Sequence, residues 1–155
     1  MKITIYSIGK TKESFVLLGE TEYLKRLGPS AKIELKELGG KASESADPAE
    51  TMLKEAEMLF GKLSPKDFLI VLDERGEELD SEGLSNYLSK KMTQGTSNFV
   101  FAIGGAWGFH ESVKKRANLL FSLSKLTFPH QLARLFLIEQ LYRAFSIMKG
   151  EPYHK

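Results

Sequence analysis

Residues 68–72 read FLIVL, five apolar residues without a break. A strand with one wet face alternates apolar and polar side chains. An unbroken run of strand length instead marks a strand covered on both faces, the usual state in a parallel sheet between two layers of helices. NFVFAI at Asn98–Ile103 repeats the signal. Strand and helix patterns alternate around these two runs. Lys2–Ile8, Lys32–Leu38 and residues 119–123 read as further strands. Apolar residues at helical spacing run through residues 13–27, 47–63, 81–92, 111–118 and 129–148. The first helix stops at Gly28-Pro29. The second opens with Asp47 as N-cap, Pro48 at the first helical position and Glu50 closing a capping box. Residues 39–46 (GGKASESA) and the acidic stretch 73–78 (DERGEE) read as loops. The expectation is an α/β fold, a parallel-rich sheet with helices on both faces. With 155 residues, no repeat and no long linker, a single domain over residues 1–155 is expected.

The chain has no cysteine, which removes thiolate metal sites, cysteine nucleophiles and disulfides together. No apolar stretch approaches membrane-span length, and the start MKITIYSIGK has too short an apolar run for a signal peptide. A cytoplasmic protein without membrane contact is the expectation. The net charge of +2 hides an asymmetry. Residues 1–109 carry 14 Lys and Arg against 17 Asp and Glu, whereas residues 110–155 carry 8 against 3. The basic set is Lys114, Lys115, Arg116, Lys125, Arg134, Arg143, Lys149 and Lys155. Such a patch either meets phosphates or is a solvated helix face. It is too weak for a DNA binder and implies at most a modest, salt-sensitive affinity for nucleic acid.

Candidate chemistry gathers in the last third. Gly104, Gly105 and Gly108 follow a buried strand and precede a helix, where backbone N–H groups can approach a ligand. The same glycines also suit a plain strand-to-helix turn. The pattern is a poor Rossmann fingerprint, which belongs after the first strand. Ser124 and Thr127 supply hydroxyls just before Pro129, and Leu123, Leu126 and Phe128 either wall a slot for a flat ring or join the core. Residues 132–148 carry apolar side chains on more than one face, as a central core helix would; a two-fold interface between copies is the preferred reading, since a terminal helix in so small a domain is not expected to bury all of that surface within one chain. His110, His130 and His154 match no metal-ligand spacing, so no metal is expected. No G-x-S-x-G elbow and no Walker A loop occur. Trp107, inside the glycine turn, either stacks on a base or packs locally.

Four segments together resemble one family: MKITIYSIGK, FVFAIGGAWG, SLSKLTFPHQLARLFLIEQLYRAF and the final PYHK. They are similar to the RlmH (YbeA) family, small stand-alone SPOUT-class methyltransferases of bacteria. The resemblance implies methyl transfer from S-adenosylmethionine to N3 of a pseudouridine in large-subunit (23S) rRNA of the assembled ribosome. It further implies a homodimer and a C-terminal trefoil knot that shapes the cofactor pocket. Carried onto this chain, the cofactor would meet Leu72, Gly104, Leu123, Ser124, Lys125, Leu126, Thr127 and Phe128. The RNA would meet Arg143, Tyr153, His154 and Lys155, reaching toward the partner's site. Lys155 stands where other members carry arginine, keeping the charge but losing bidentate phosphate recognition. Of these, Arg143 and His154 are the catalytic candidates, with two alternatives open: His154 as a base for the imide N–H, directly or through water, or instead Arg143 as the cation that stabilises its anion or grips a phosphate. Two other classes stay open on the residues alone, a nucleotide- or metabolite-binding α/β protein and a ribosome-associated factor that acts only by binding.

Overall fold

The computed structural model describes residues 1–42 and 44–154, and backbone only at Ala42. In chain order the elements are β1 (Lys2–Ile8), α1 (Ser14–Leu27), β2 (Lys32–Leu38), α2 (Pro48–Phe60), β3 (Phe68–Glu78), α3 (Ser81–Thr93), β4 (Asn98–Ile103), α4 (Glu111–Arg116), β5 (Leu119–Ser122) and α5 (His130–Met148). A short 3₁₀ turn spans Gly40–Ala42. The five strands form one sheet in the order β2-β1-β4-β3-β5, and every pairing is parallel. The unbroken apolar runs thus do what their composition requires. β3 and β4 are inner strands, and their side chains alternate between two cores.

One core takes Ile3, Ile5, Ile70, Phe99 and Phe101 from the sheet and covers them with Leu27 of α1, Leu84 and Leu88 of α3, and Leu137, Ile138 and Leu141 of α5. The other takes Tyr6, Ile8, Leu69, Val71, Val100 and Ala102, under Leu59 of α2 and Val113 of α4. Helices α1, α3 and α5 therefore share one face, and α2 and α4 share the other.

Three expectations need correction. First, residues 73–78 are not a loop. β3 pairs with β5 through Leu72↔Phe121, leaves register, and pairs again through Glu77↔Phe121 and Glu78↔Ser122. The charged side chains hide this strand because it is exposed beyond the core, and the excursion throws residues 73–75 outward. Gly76 permits the return: a Cβ there would lie 2.6 Å from the backbone of Leu120 and Phe121. Second, the capping box does not close. Asp47 does accept from the Ala49 N–H at 2.9 Å, but its own N–H turns to the Ser45 hydroxyl. Glu50 accepts from Ser45 Oγ at 2.6 Å and pairs with Lys54 instead. Third, α5 is largely buried within its own chain. It lies between α1 and α3, and Leu137, Ile138, Leu141 and Ala144 are fully enclosed. Two neighbouring helices and the sheet cover a wider arc than a terminal helix was expected to find. The surplus apolar surface is smaller: Phe136 on α5, with Phe15 and Leu18 on neighbouring α1.

Arg134, counted above among the basic surface set, is also inside. Its guanidinium grips Glu20 of α1 through Nε at 2.5 Å and Nη2 at 2.8 Å, and Nη1 donates to Ser7 Oγ at 2.9 Å and to Glu37 Oε1 at 3.2 Å. One buried cation thus ties α5 to α1 and to the ends of β1 and β2.

Candidate functional site

A cavity of about 680 Å³ opens at the C-terminal ends of β3, β4 and β5. This is the edge of an open parallel sheet where ligands ordinarily bind, and the volume lies in the range that holds a cofactor-sized molecule. Four segments build it. The end of β3 gives Leu72 and the outward excursion of Asp73, Glu74 and Arg75. The end of β4 gives Ile103 and the turn from Gly104 to Gly108. The end of β5 gives Phe121 and Ser122, followed by Leu123, Ser124, Leu126, Thr127 and Phe128. The start of α5 gives His130 and Ala133.

The glycine turn is tight for internal reasons. The Gly108 N–H donates to the Gly105 carbonyl at 3.0 Å, which leaves Ala106 and Trp107 at the tip. A Cβ on Gly105 would lie 3.0 Å from Glu55 Oε1 and 3.2 Å from Ile8 Cγ2. A Cβ on Gly104 would lie 3.1 Å from the Gly108 carbonyl carbon and 3.2 Å from the Phe109 ring. The turn thus sits directly on buried side chains, and its backbone rather than any side chain forms that wall.

The segment after β5 folds on its own hydroxyls. Ser122 Oγ donates to the Ser124 carbonyl at 3.0 Å, and Ser124 Oγ accepts from the Leu126 N–H at 3.0 Å. Among the described residues, the N–H groups of Lys125, Thr127 and Phe128 have no hydrogen-bond partner, so this wall offers free backbone donors. Leu126 is 70% exposed. Phe128 leans on Phe136 with ring centroids 5.1 Å apart. Of the eight expected cofactor residues, seven line the cavity: Leu72, Gly104, Leu123, Ser124, Leu126, Thr127 and Phe128. Lys125 does not; its side chain points into solvent, 4.0 Å from Glu78.

Sequence reasoning missed the acidic side of the cavity. Asp73 forms a 2.7 Å ion pair with Lys114 and accepts from the Arg75 N–H at 2.9 Å. Burial pushes the Asp73 carboxyl up, but Lys114 and the Arg75 N–H outweigh it and hold the group below its ordinary value. The clue lay in the one glycine of DERGEE, which marks a close backbone approach within a strand.

The expected RNA residues lie elsewhere in the chain. Arg143 is an α5 residue ten positions beyond Ala133, about 15 Å further along the helix axis. It pairs with Glu139 at 2.7 Å, lies 4.7 Å from the Tyr153 ring centroid, and its Nη1 is 3.3 Å from His154 Nδ1. Glu139 is the main reason the guanidinium is held above its ordinary pKa. Tyr153 donates to Glu139 at 3.1 Å and meets Tyr142 edge-on at 4.6 Å. Burial, together with the Tyr23 and Glu139 hydrogen bonds, raises its phenol above the usual range. Arg143, Tyr153 and His154 therefore form one cluster, remote from the cavity of the same chain. Lys155 lies outside the described residues. Also among the described residues, no group of three or more His, Asp or Glu could hold a metal ion, and no helix is long and apolar enough to cross a membrane.

A family model described as "Predicted SPOUT methyltransferase" matches residues 1–154, nearly the whole of the chain whose parallel sheet and strand-end cavity are described above. The chain belongs to the SPOUT methyltransferase family.

Proposed function

We propose that this protein transfers a methyl group from S-adenosylmethionine to N3 of a pseudouridine in 23S rRNA of the assembled bacterial ribosome, acting as a homodimer with a knotted C-terminal part. The observation that carries this reading is the family match joined to a cavity walled by backbone donors and apolar side chains at the ends of β3, β4 and β5. The residues fit the cofactor. Leu72, Leu123 and Leu126 offer apolar contact to a flat adenine, and the free N–H groups near Thr127 suit its polar edge and a ribose. When bound, the sulfonium supplies an already activated methyl group, so the protein's main task is alignment of donor and acceptor.

A homodimer explains the separation of the two clusters. Arg143, Tyr153 and His154 lie at the far end of α5 from the cavity of their own chain. A second copy packed on the exposed Phe15, Leu18 and Phe136 would bring its tail to the first copy's cavity. There His154 would take the imide proton and Arg143 would hold the resulting anion or a phosphate. A guanidinium beside an aromatic ring suits a splayed base in a folded RNA loop.

The test is labelled methyl transfer to ribosomes from cells that lack the modification, with free rRNA as control and nucleoside analysis of the product. Label in N3-methylpseudouridine from ribosomes, and none from free rRNA, is expected. Label in another nucleoside, or none with ribosomes, would overturn the assignment.

A further inference from the structure

Trp107 is the only tryptophan in the chain and is 61% exposed. Local packing does not explain it, since no ring lies against it and its indole N–H has no partner among the described residues. It stands at the tip of the Gly105–Gly108 turn and lines the cavity. The turn is closely packed beneath it: Gly105 rests on Glu55 and Ile8, and Gly104 rests on the buried Phe109. On another wall of the same cavity stands Arg75, also exposed, whose guanidinium makes no ion pair or hydrogen bond among the described residues. An exposed indole on a tight glycine turn and an exposed guanidinium in the field of Asp73 thus share the surface of one cavity. Its chemistry is that of a nucleotide site, with a π-face for a base and a planar cation for a phosphate.

We propose that Trp107 stacks on a base of the substrate RNA at the mouth of the cavity, and that Arg75 holds an adjacent phosphate. This rests on the methyltransferase reading and adds to it two substrate-positioning residues. The inner wall, with Leu72, Ile103 and Leu123 at the strand ends, is left to the methyl donor.

Because the tryptophan is unique, its emission reports this position alone. The intact protein is titrated with a uridine-rich single-stranded RNA hexamer and, separately, with S-adenosylhomocysteine. Quenching by the RNA and none by S-adenosylhomocysteine is expected. Trp107→Ala should raise KM for ribosomes about tenfold with kcat little changed, the scale of one lost base–aromatic stack. Trp107→Phe should restore most of it. Arg75→Gln should weaken RNA binding and flatten its salt dependence. Calorimetry should give S-adenosylmethionine the same affinity in all three variants. Wild-type KM in Trp107→Ala, or quenching by S-adenosylhomocysteine with weaker donor binding in that variant, overturns the proposal. Absence of donor binding and methyl transfer in the unaltered protein, with RNA quenching intact, would sink the methyltransferase reading and leave the stacking site standing.

Discussion

Replacing Arg134 by methionine keeps a long side chain in place and removes the charge. In the native chain both members of the Arg134–Glu20 pair are enclosed, with side-chain exposures of 3% and 4%. The guanidinium makes four hydrogen bonds, two to Glu20 and one each to Ser7 and Glu37. In Arg134→Met the Glu20 carboxylate stays buried with no cation beside it. Breaking one side of such a pair costs about 3–5 kcal/mol. Set against a typical domain stability of about 5–15 kcal/mol, that is a large fraction. The pair itself adds much less, because both charges were taken out of water to form it. Glu20→Leu combined with Arg134→Met should therefore lie within about 1 kcal/mol of the native chain. Urea unfolding followed by circular dichroism reads all three proteins. A single variant that loses less than about 1 kcal/mol, or a double variant as unstable as the single, would show that the Glu20 carboxylate does not depend on Arg134 for its burial. His130 and Ala133 line the cavity on the same part of α5, so the single variant should also bind the methyl donor more weakly.

Other outcomes follow from the same geometry. Gly76→Ala should destabilise by about 3 kcal/mol or prevent folding, because its Cβ would strike the backbone of β5, which cannot yield as a side chain can; a near-native urea midpoint would contradict the packing. Asp73 is held below its ordinary pKa, so its contribution to stability is complete above the ordinary aspartate range and is lost as pH falls through the lowered value. Lys114→Met removes the main cause of that lowering and should shrink the acid-side loss, and superimposable acid limbs in thermal unfolding would speak against the ion pair. A chain ending at Pro152 should lose about 1–2 kcal/mol, since Tyr153 packs on Tyr142 and bonds Glu139. It should still bind the donor yet fail on ribosomes. Mixed with a Gly104→Val chain, it should recover activity at one site per dimer; no recovery despite proven mixing would place the tail at its own chain's cavity.

The parallel sheet was legible because FLIVL and NFVFAI carry it in composition alone. The cavity walls were partly legible for the same reason: glycines and hydroxyls after a buried strand have few roles. What stayed hidden depends on distance or on exposure. Glu20 and Arg134 are 114 positions apart, so nothing local marks either as buried. The outer part of β3 pairs with β5 outside the core, where no apolar pattern is needed, and its charges read as a loop. α5 looked too apolar for one chain because its neighbours α1 and α3 come from distant sequence. The separation of Arg143, Tyr153 and His154 from the cavity is likewise a matter of helix length and direction, which the residues of a motif do not state.

The proposed methyl transfer requires the donor to occupy the cavity at the ends of β3, β4 and β5. A crystal structure of the protein with S-adenosylhomocysteine tests it most directly. Ligand is expected between Leu72, the Gly104-Gly105 backbone and the segment from Leu123 to Phe128, with its sulfur facing the open mouth. Ligand bound at the opposite edge of the sheet, near Arg116 and Asn118, or no ligand at millimolar concentration, would contradict it.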